Sequence, residues 1–234
     1  MNKDLFIVTS AIRATIGVID DETRLKQTIE GLQSLRRIAP DAIIMLVDAS
    51  SKMVDEATMA QVAQYCDRTI SFFGDEDLMS LANAGLKSQA EITLLFKTLV
   101  FIKQHPELQK MMADVRRVFK LSGRTNMLND YNPKDYDNLF GKYVFKKAIP
   151  SWLPPHKQVE ADCDHLYITR MYSFCISLFD NYLNTLPEIY RTVNEFSVDT
   201  EHAHFGNIDK NLTVEFENLY CEGVLAGTGQ KEIY

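Results

Sequence analysis

Lys120-Leu121-Ser122-Gly123-Arg124 is the stretch of this sequence best equipped for chemistry. The glycine lets a backbone approach a ligand closely, and the arginine offers a fork that matches phosphate oxygens. On a strand, Lys120 and Ser122 alternate to the same side. Two other apolar runs also end in polar residues: Leu5 to Val8 leads into Thr9, Ser10 and Arg13, and Ala42 to Val47 leads into Asp48, Ser50 and Ser51. Further along, Glu201-His202-Ala203-His204 supplies a carboxylate able to take a proton from a hydroxyl if burial raises its pKa. On a helix His202 and His204 point to different sides, so they do not make a metal-binding pair. Asp162-Cys163-Asp164 has the letters of an acidic metal site, but the polar run His156 to Ala161 precedes it where an apolar strand is needed, and it reads as a solvated turn. The chain has no G-x-x-x-x-G-K-[ST] loop and no G-x-G-x-x-G fingerprint, so P-loop and dinucleotide-Rossmann readings lose their support.

The surrounding pattern says what must hold these residues. Leu5 to Ser10 reads as a buried parallel strand, and Thr23 to Ile38 as an amphipathic helix with Leu25, Ile29, Leu32, Leu35 and Ile38 on one face. The Asp20-Asp21-Glu22 cluster suits its N-terminus. Ala42 to Val47 is a second strand, completing a βαβ unit and implying a parallel sheet. Val54 to Tyr65 predicts a helix, Arg68 to Phe73 a strand, Ala90 to Lys103 a long helix continued by Leu108 to Met112, and Val115 to Leu121 a strand. Ligands of such sheets sit at the carboxyl ends of the strands, where the polar residues above converge.

After residue 125 the rhythm changes. Asn126 to Pro155 predicts mainly turns and short pieces. Asp164 to Phe174 predicts a strand, Ile176 to Asn194 a helix with an interruption at Pro187, and Thr200 to Phe205 a further helix. A last strand is expected in the tail before Gly227-Thr228-Gly229. The aromatics Tyr131, Tyr136, Phe140, Tyr143, Phe145 and Trp152 gather in the irregular middle and predict a satellite core under a long loop. Interleaved with Lys142, Lys146 and Lys147, they are alternatively a wall for stacking carbohydrate or nucleobases. One domain is expected over 1–234, with residues 1–125 as a nucleotide-binding half and 126–234 as an acceptor-facing half.

Composition narrows the classes. The 234 residues are 46% hydrophobic and 24% charged, an ordinary globular balance. A net charge of -7 argues against non-specific nucleic-acid binding, which needs a positive field. No apolar run is long enough to span a bilayer. Asp4 falls where a signal peptide would need a basic then apolar run, so a cytoplasmic protein is expected. Four scattered cysteines predict reduced thiols rather than a disulfide framework or zinc site.

Asp4 to Ser10, Leu46 to Ser50 and Phe119 to Arg124 resemble a group of bacterial and viral glycosyltransferase-like proteins. These combine an "I-x-x-x-D-S/A-S" strand with a later "F-K-x-S-G-R" strand. Ala84 to Glu91 is similar to that group's "K-G-x-x-E" segment, and Ser197 to His202 to its "S-x-E" segment. The resemblance implies a GT-A-type fold, an α/β nucleotide-binding domain with a mainly parallel central sheet flanked by helices. It further implies Thr9, Ser10 and Arg13 beside the nucleotide and Asp48 by its base or ribose; Ser122 and Gly123 are expected in the same pocket from their place at the sheet's carboxyl edge. Lys97, Lys120 and Arg124 would neutralise the diphosphate, and Glu201 or a neighbouring histidine would face the acceptor.

GT-A enzymes usually carry D-x-D for a divalent metal, and Ser122-Gly123-Arg124 stands at that position. Arg124 and Lys120 then replace the metal by charge, so no resident metal is expected, although a divalent ion remains compatible. The function expected is transfer of a sugar from a nucleotide-sugar donor to a hydroxyl acceptor, a glycan or a hydroxylated DNA base. The catalytic residues expected are Glu201, Arg124 and Lys120. The alternatives are a nucleotidyltransferase on a similar sheet and a non-catalytic protein binding a ligand or partner.

Overall fold

The computed structural model describes residues 3–224 and 231–234. Gly227-Thr228-Gly229, before which the last strand is expected, lies outside the described residues. The chain runs β1 (Lys3–Ser10), α1 (Asp21–Ile38), β2 (Ile43–Asp48), α2 (Glu56–Ala63), β3 (Arg68–Ser71), α3 (Glu76–Asn83), α4 (Lys87–Gln104), α5 (Pro106–Met112) and β4 (Val115–Ser122). It continues with β5 (Thr125–Met127), β6 (Tyr143–Lys146), β7 (Ile149–Pro150), α6 (Pro155–Glu160), β8 (His165–Leu166), β9 (Met171–Cys175), α7 (Phe179–Phe196), α8 (Thr200–Asn207), β10 (Thr213–Phe216), β11 (Cys221–Val224) and β12 (Lys231–Ile233).

A seven-stranded sheet in the order β10-β6-β9-β4-β1-β2-β3 forms the centre. β1, β2, β3 and β4 are mutually parallel, and β10 is parallel to β6. β9 runs antiparallel between β4 and β6. The central strands bury both faces, which is why they read as unbroken apolar runs rather than alternating ones. On one face Leu5, Ile7, Met45 and Val47 pack with Leu95, Leu99 and Ile102 of α4 and Leu186 and Ile189 of α7. On the other, Phe6, Val8, Ile44, Leu46 and Phe119 pack with Leu32 and Leu35 of α1. The Phe6 and Phe119 rings stack at 4.5 Å.

Local chemistry fixes the helices that aim the site. The Asp20 side chain caps α1 by accepting from Thr23 N, with Asp21 and Glu22 in the first turn and Arg36 and Arg37 in the last. Asp199 caps α8 in the same way by accepting from His202 N. Gly31 is required where α1 crosses β5, since a Cβ there would stand 2.8 Å from the Thr125 carbonyl oxygen.

Several elements differ from the sequence expectation. The Asp164 to Phe174 stretch is two strands, β8 and β9, in different sheets. α7 runs through Pro187 without a break, because Tyr182, Leu183, Leu186, Ile189 and Val193 bury one continuous face across the missing amide. The supposed turn region contains β6, a buried strand of the main sheet. α3 is present where no helix was expected, capped by Asp75, whose side chain accepts from Leu78 N. No helix among the described residues is long and apolar enough to cross a membrane.

Candidate functional site

Register brings the polar strand ends together. Ser10 lies opposite Asp48, and Thr9 lies opposite both Val47 and Ser122. Above this carboxyl edge opens a cleft of about 550 Å³. Thr9, Ser10, Ser51, Ser122, Gly123 and Arg124 line its floor, and Thr169, Arg170 and Glu201 close it from the second half of the chain. The loop 11–19 with Arg24 forms one wall, and the elbow from Ala82 to Glu91 the opposite one.

Asp48 builds this edge from within. It is fully buried, and its two carboxylate oxygens accept from Ile12 N at 3.0 Å and Ser50 N at 3.1 Å. Burial raises its pKa, against the pull of those bonds. Ser50 Oγ accepts from Arg13 N, and Ser51 Oγ from Thr15 N at 2.8 Å. Asp48 therefore fixes the loop after β1 and does not line the cleft, so the structure does not place it against a base or ribose.

Gly123 is the point of closest approach. Its N–H donates to the Thr9 carbonyl at 2.7 Å, and a Cβ would stand 2.9 Å from that oxygen and 3.1 Å from Ser10 Cβ. Because those contacts are backbone and a short side chain, nothing flexible can yield. Gly123→Ala is expected to cost about 1–3 kcal/mol of stability, read by thermal unfolding, and to narrow the cleft floor.

The cations sort differently from the sequence expectation. Arg13 turns outward to pair with Asp55 and donate to the Met53 carbonyl. Lys97 is held by Asp75 at 2.7 Å and Asp77 at 2.8 Å, outside the cleft lining. Lys120 is 1% exposed and spends its three protons on Glu91, Ser122 Oγ at 3.0 Å and the Thr169 carbonyl at 2.8 Å. It supports the site from below and has no proton left to offer a phosphate. These three are corrections, and they share one cause: a cation near carboxylates on a neighbouring element pairs with them first.

Arg124 does line the cleft, joined there by Arg24 and Arg170, which sequence reasoning missed. None of the three pairs with a carboxylate among the described residues. Arg24 donates from Nε to the Ile19 carbonyl at 2.9 Å and from Nη1 to that of Ala11 at 3.3 Å. Arg170 donates from Nε to the Tyr234 hydroxyl at 2.8 Å and lies over its ring. Arg124 Nη1 is buried with no hydrogen-bond partner among the described residues. Burial, then the charges of Arg24 and Arg170, push its pKa down to about 10.

Glu201 enters from the first turn of α8. Its Oε1 accepts from Thr169 Oγ1 at 2.8 Å. Burial raises its pKa, and Glu91 and Asp199 add to the rise. The histidines beside it face away from the cleft. His202 is joined to Asp199 at 2.5 Å and Ser151 at 2.8 Å, and His204 to Tyr182 and the Thr200 carbonyl. Burial holds His204 neutral with a pKa lowered to about 4.

The donor set does not suit a divalent cation. Glu91 and Glu201 are the carboxylates of the cleft lining, the first engaged by Lys120 and the second bonded to Thr169. No group of three potential metal ligands occurs among the described residues. Asp162 sits at a left-handed φ of 48° in an exposed turn, and Asp164 bonds His165. Tyr131, Tyr136, Tyr143 and Phe145 are buried in the core, while Phe140 and Trp152 are exposed. Lys142, Lys146 and Lys147 are tied to the Asn211 carbonyl, the Ile233 carbonyl and Glu217, and do not line the cleft.

No family model matches this chain, and no curated protein matches it by sequence. Solved structures do match. Core-mannan synthase A (CmsA/Ktr4) of Aspergillus fumigatus, in an Mn/GDP form, aligns with a TM-score of 0.53 and 12% identity over 92% of this chain and 73% of that one. The mannosyltransferase Ktr4p of S. cerevisiae aligns with a TM-score of 0.55 and 8% identity over 92% and 68%. The galactosyltransferase LgtC, in complex with donor and acceptor sugar analogues, aligns with a TM-score of 0.55 and 10% identity over 91% and 72%. The chain has the α/β fold of these glycosyltransferases, as its sequence led one to expect. At such identities the likeness establishes the fold alone.

Proposed function

We propose that this chain is a glycosyltransferase that moves a sugar from a nucleoside-diphosphate donor to a hydroxyl acceptor, a glycan in the first instance. The observation that carries the reading is the convergence of Arg24, Arg124 and Arg170, without carboxylate partners among the described residues, in a cleft at the sheet's carboxyl edge. Like charges held together in a pocket mark a seat for an anion, and guanidinium forks suit phosphate oxygens. Thr9, Ser10, Ser51, Ser122 and Gly123 offer hydroxyls and close backbone for the rest of the nucleotide.

Glu201 is the base. In the transfer, the bond from the anomeric carbon to the β-phosphate oxygen breaks and its electron pair leaves on the diphosphate. The acceptor oxygen bonds to the anomeric carbon and its proton passes to Glu201. Lys120 acts through Glu91 and Thr169 rather than on the donor. Residues 1–125 supply two of the arginines, and 126–234 supply the third together with the base. A nucleotidyltransferase would need a carboxylate pair for metal, and Glu91, one of the two cleft carboxylates, is already paired with the buried Lys120. The free thiols Cys66, Cys163, Cys175 and Cys221 fit a reducing, cytoplasmic setting.

The test is a thermal-shift panel of nucleotide sugars, followed by assay of nucleoside-diphosphate release. A donor at about 100 times its Kd adds about 2.7 kcal/mol, a rise of about 5–11 °C for a chain this size. Failure of every nucleotide sugar to shift the transition would leave the fold without this activity.

A further inference from the structure

Resting on that reading, we infer that Arg24, Arg124 and Arg170 take the place of a divalent cation, so that the chain binds and releases its nucleoside diphosphate without metal. Mg²⁺ and Mn²⁺ require several hard oxygen ligands. In this cleft Glu91 is occupied by the buried Lys120, and Glu201 holds the Thr169 hydroxyl. Ser122-Gly123-Arg124 closes β4 with a cation and no carboxylate. A dication set among three guanidiniums would be repelled, whereas a diphosphate would be attracted by the same charges.

The arginines are also built in from behind, which distinguishes a seat from three mobile surface charges. The Arg24 guanidinium bridges the two ends of the loop 11–19 through the Ala11 and Ile19 carbonyls, and its Nη2 has no hydrogen-bond partner among the described residues. Arg170 rests on the Tyr234 ring and hydroxyl, and its own carbonyl accepts from Ser122 N at 2.8 Å. Gly223 gives it room, since a Cβ there would stand 3.2 Å from Arg170 Cδ and Nη1. Arg124 closes the set with an Nη1 that has no hydrogen-bond partner among the described residues. Holding like charges in place before the ligand arrives is the preorganisation that stabilises a developing anion. As the glycosidic bond breaks, the leaving diphosphate gains one negative charge, which these fixed donors neutralise. No co-reactant beyond the donor and acceptor is needed.

The experiment is isothermal titration of UDP, GDP and inorganic pyrophosphate into the whole chain, once in excess EDTA and once in excess Mn²⁺. A nucleoside diphosphate should bind in EDTA with a Kd within about twofold of the Mn²⁺ value, and Arg124→Met and Arg170→Met should each weaken it about tenfold or more. Gly223→Ala should weaken it through Arg170 alone. The unliganded Tm of Arg124→Met should equal or exceed that of the wild type, because one of three repelling charges is gone. A lower Tm with binding retained would make the arginine structural and overturn the inference. Binding that needs Mn²⁺ would overturn the metal-free seat and leave the transferase reading intact. Pyrophosphate binding without any nucleotide would keep the seat and remove the transferase. No binding of any probe would end both.

Discussion

Glu201→Gln is expected to lower the rate of sugar transfer by about 10²–10⁴ while leaving the Kd for nucleoside diphosphate within about twofold of wild type. The amide preserves the bond from the Thr169 hydroxyl but cannot take the acceptor's proton. The pH dependence follows from the environment of the carboxyl. Burial raises its pKa, Glu91 and Asp199 reinforce the rise, and Thr169 opposes it. The base works when deprotonated, so kcat/KM should climb with pH through an acid limb above the ordinary glutamate value of about 4.3. That limb should vanish in the variant.

Stability should move the other way. A carboxyl whose folded pKa is raised favours the folded state at low pH, and that benefit is lost as pH rises through the folded value. Ionised Glu201 is therefore a cost, and Glu201→Gln should gain Tm relative to wild type as pH rises through the folded value and have no advantage in acid. Loss of activity with a gain in stability is the pattern expected of a strained functional group. A variant that loses both would mark Glu201 as structural.

Lys120→Met should destabilise the chain by about 3 kcal/mol, a fall in Tm of about 6–12 °C, and weaken donor binding as a consequence. The lysine side chain is 2% exposed and Glu91 is 32% exposed, so the two partners are not equivalent. Removing the lysine leaves a carboxylate that water can reach. Removing the carboxylate strands a charged amine in the core, bonded only to Ser122 Oγ and the Thr169 carbonyl. Glu91→Leu should consequently cost more than Lys120→Met, and the double variant less than the sum. Thermal and urea unfolding of the three chains check the order. Equal single costs would argue against a buried charge at Lys120.

The pattern of residues made the scaffold legible because β1, β2 and β4 are buried on both faces and α1 carries a regular apolar stripe with an acidic start. Parallel register then does what the spacing implied, setting Thr9, Ser10 and Ser122 at one rim. The fates of the cations were not legible, since they depend on partners remote in sequence. Lys120 meets Glu91 from α4, Lys97 meets Asp75 and Asp77 from α3, and Arg13 meets Asp55 before α2. A strand lysine flanked by apolar residues signals either a buried pair or a site, and nothing local separates the two.

The missed arginines left fainter traces. Arg24 stands in the opening turn of α1, where the helix dipole disfavours a cation, and that misplacement was a sign of another task. Arg170 fell inside a stretch read as one strand. The chain passes from the small β7-β8 sheet to the central sheet between β8 and β9, and Thr169 and Arg170 of that connection line the cleft. Short strands such as β6 carry too few residues for periodicity to speak, and their pairing is decided by the sheet they join.

A crystal structure of the chain with a bound nucleoside diphosphate tests the account most directly. Both phosphates should lie within hydrogen-bond reach of Arg124 and Arg170, with Arg24 facing the same group and Glu201 opposite the vacated sugar position. Phosphates found at another edge of the sheet, or turned toward Glu91 and Glu201 through a bridging cation, would contradict it.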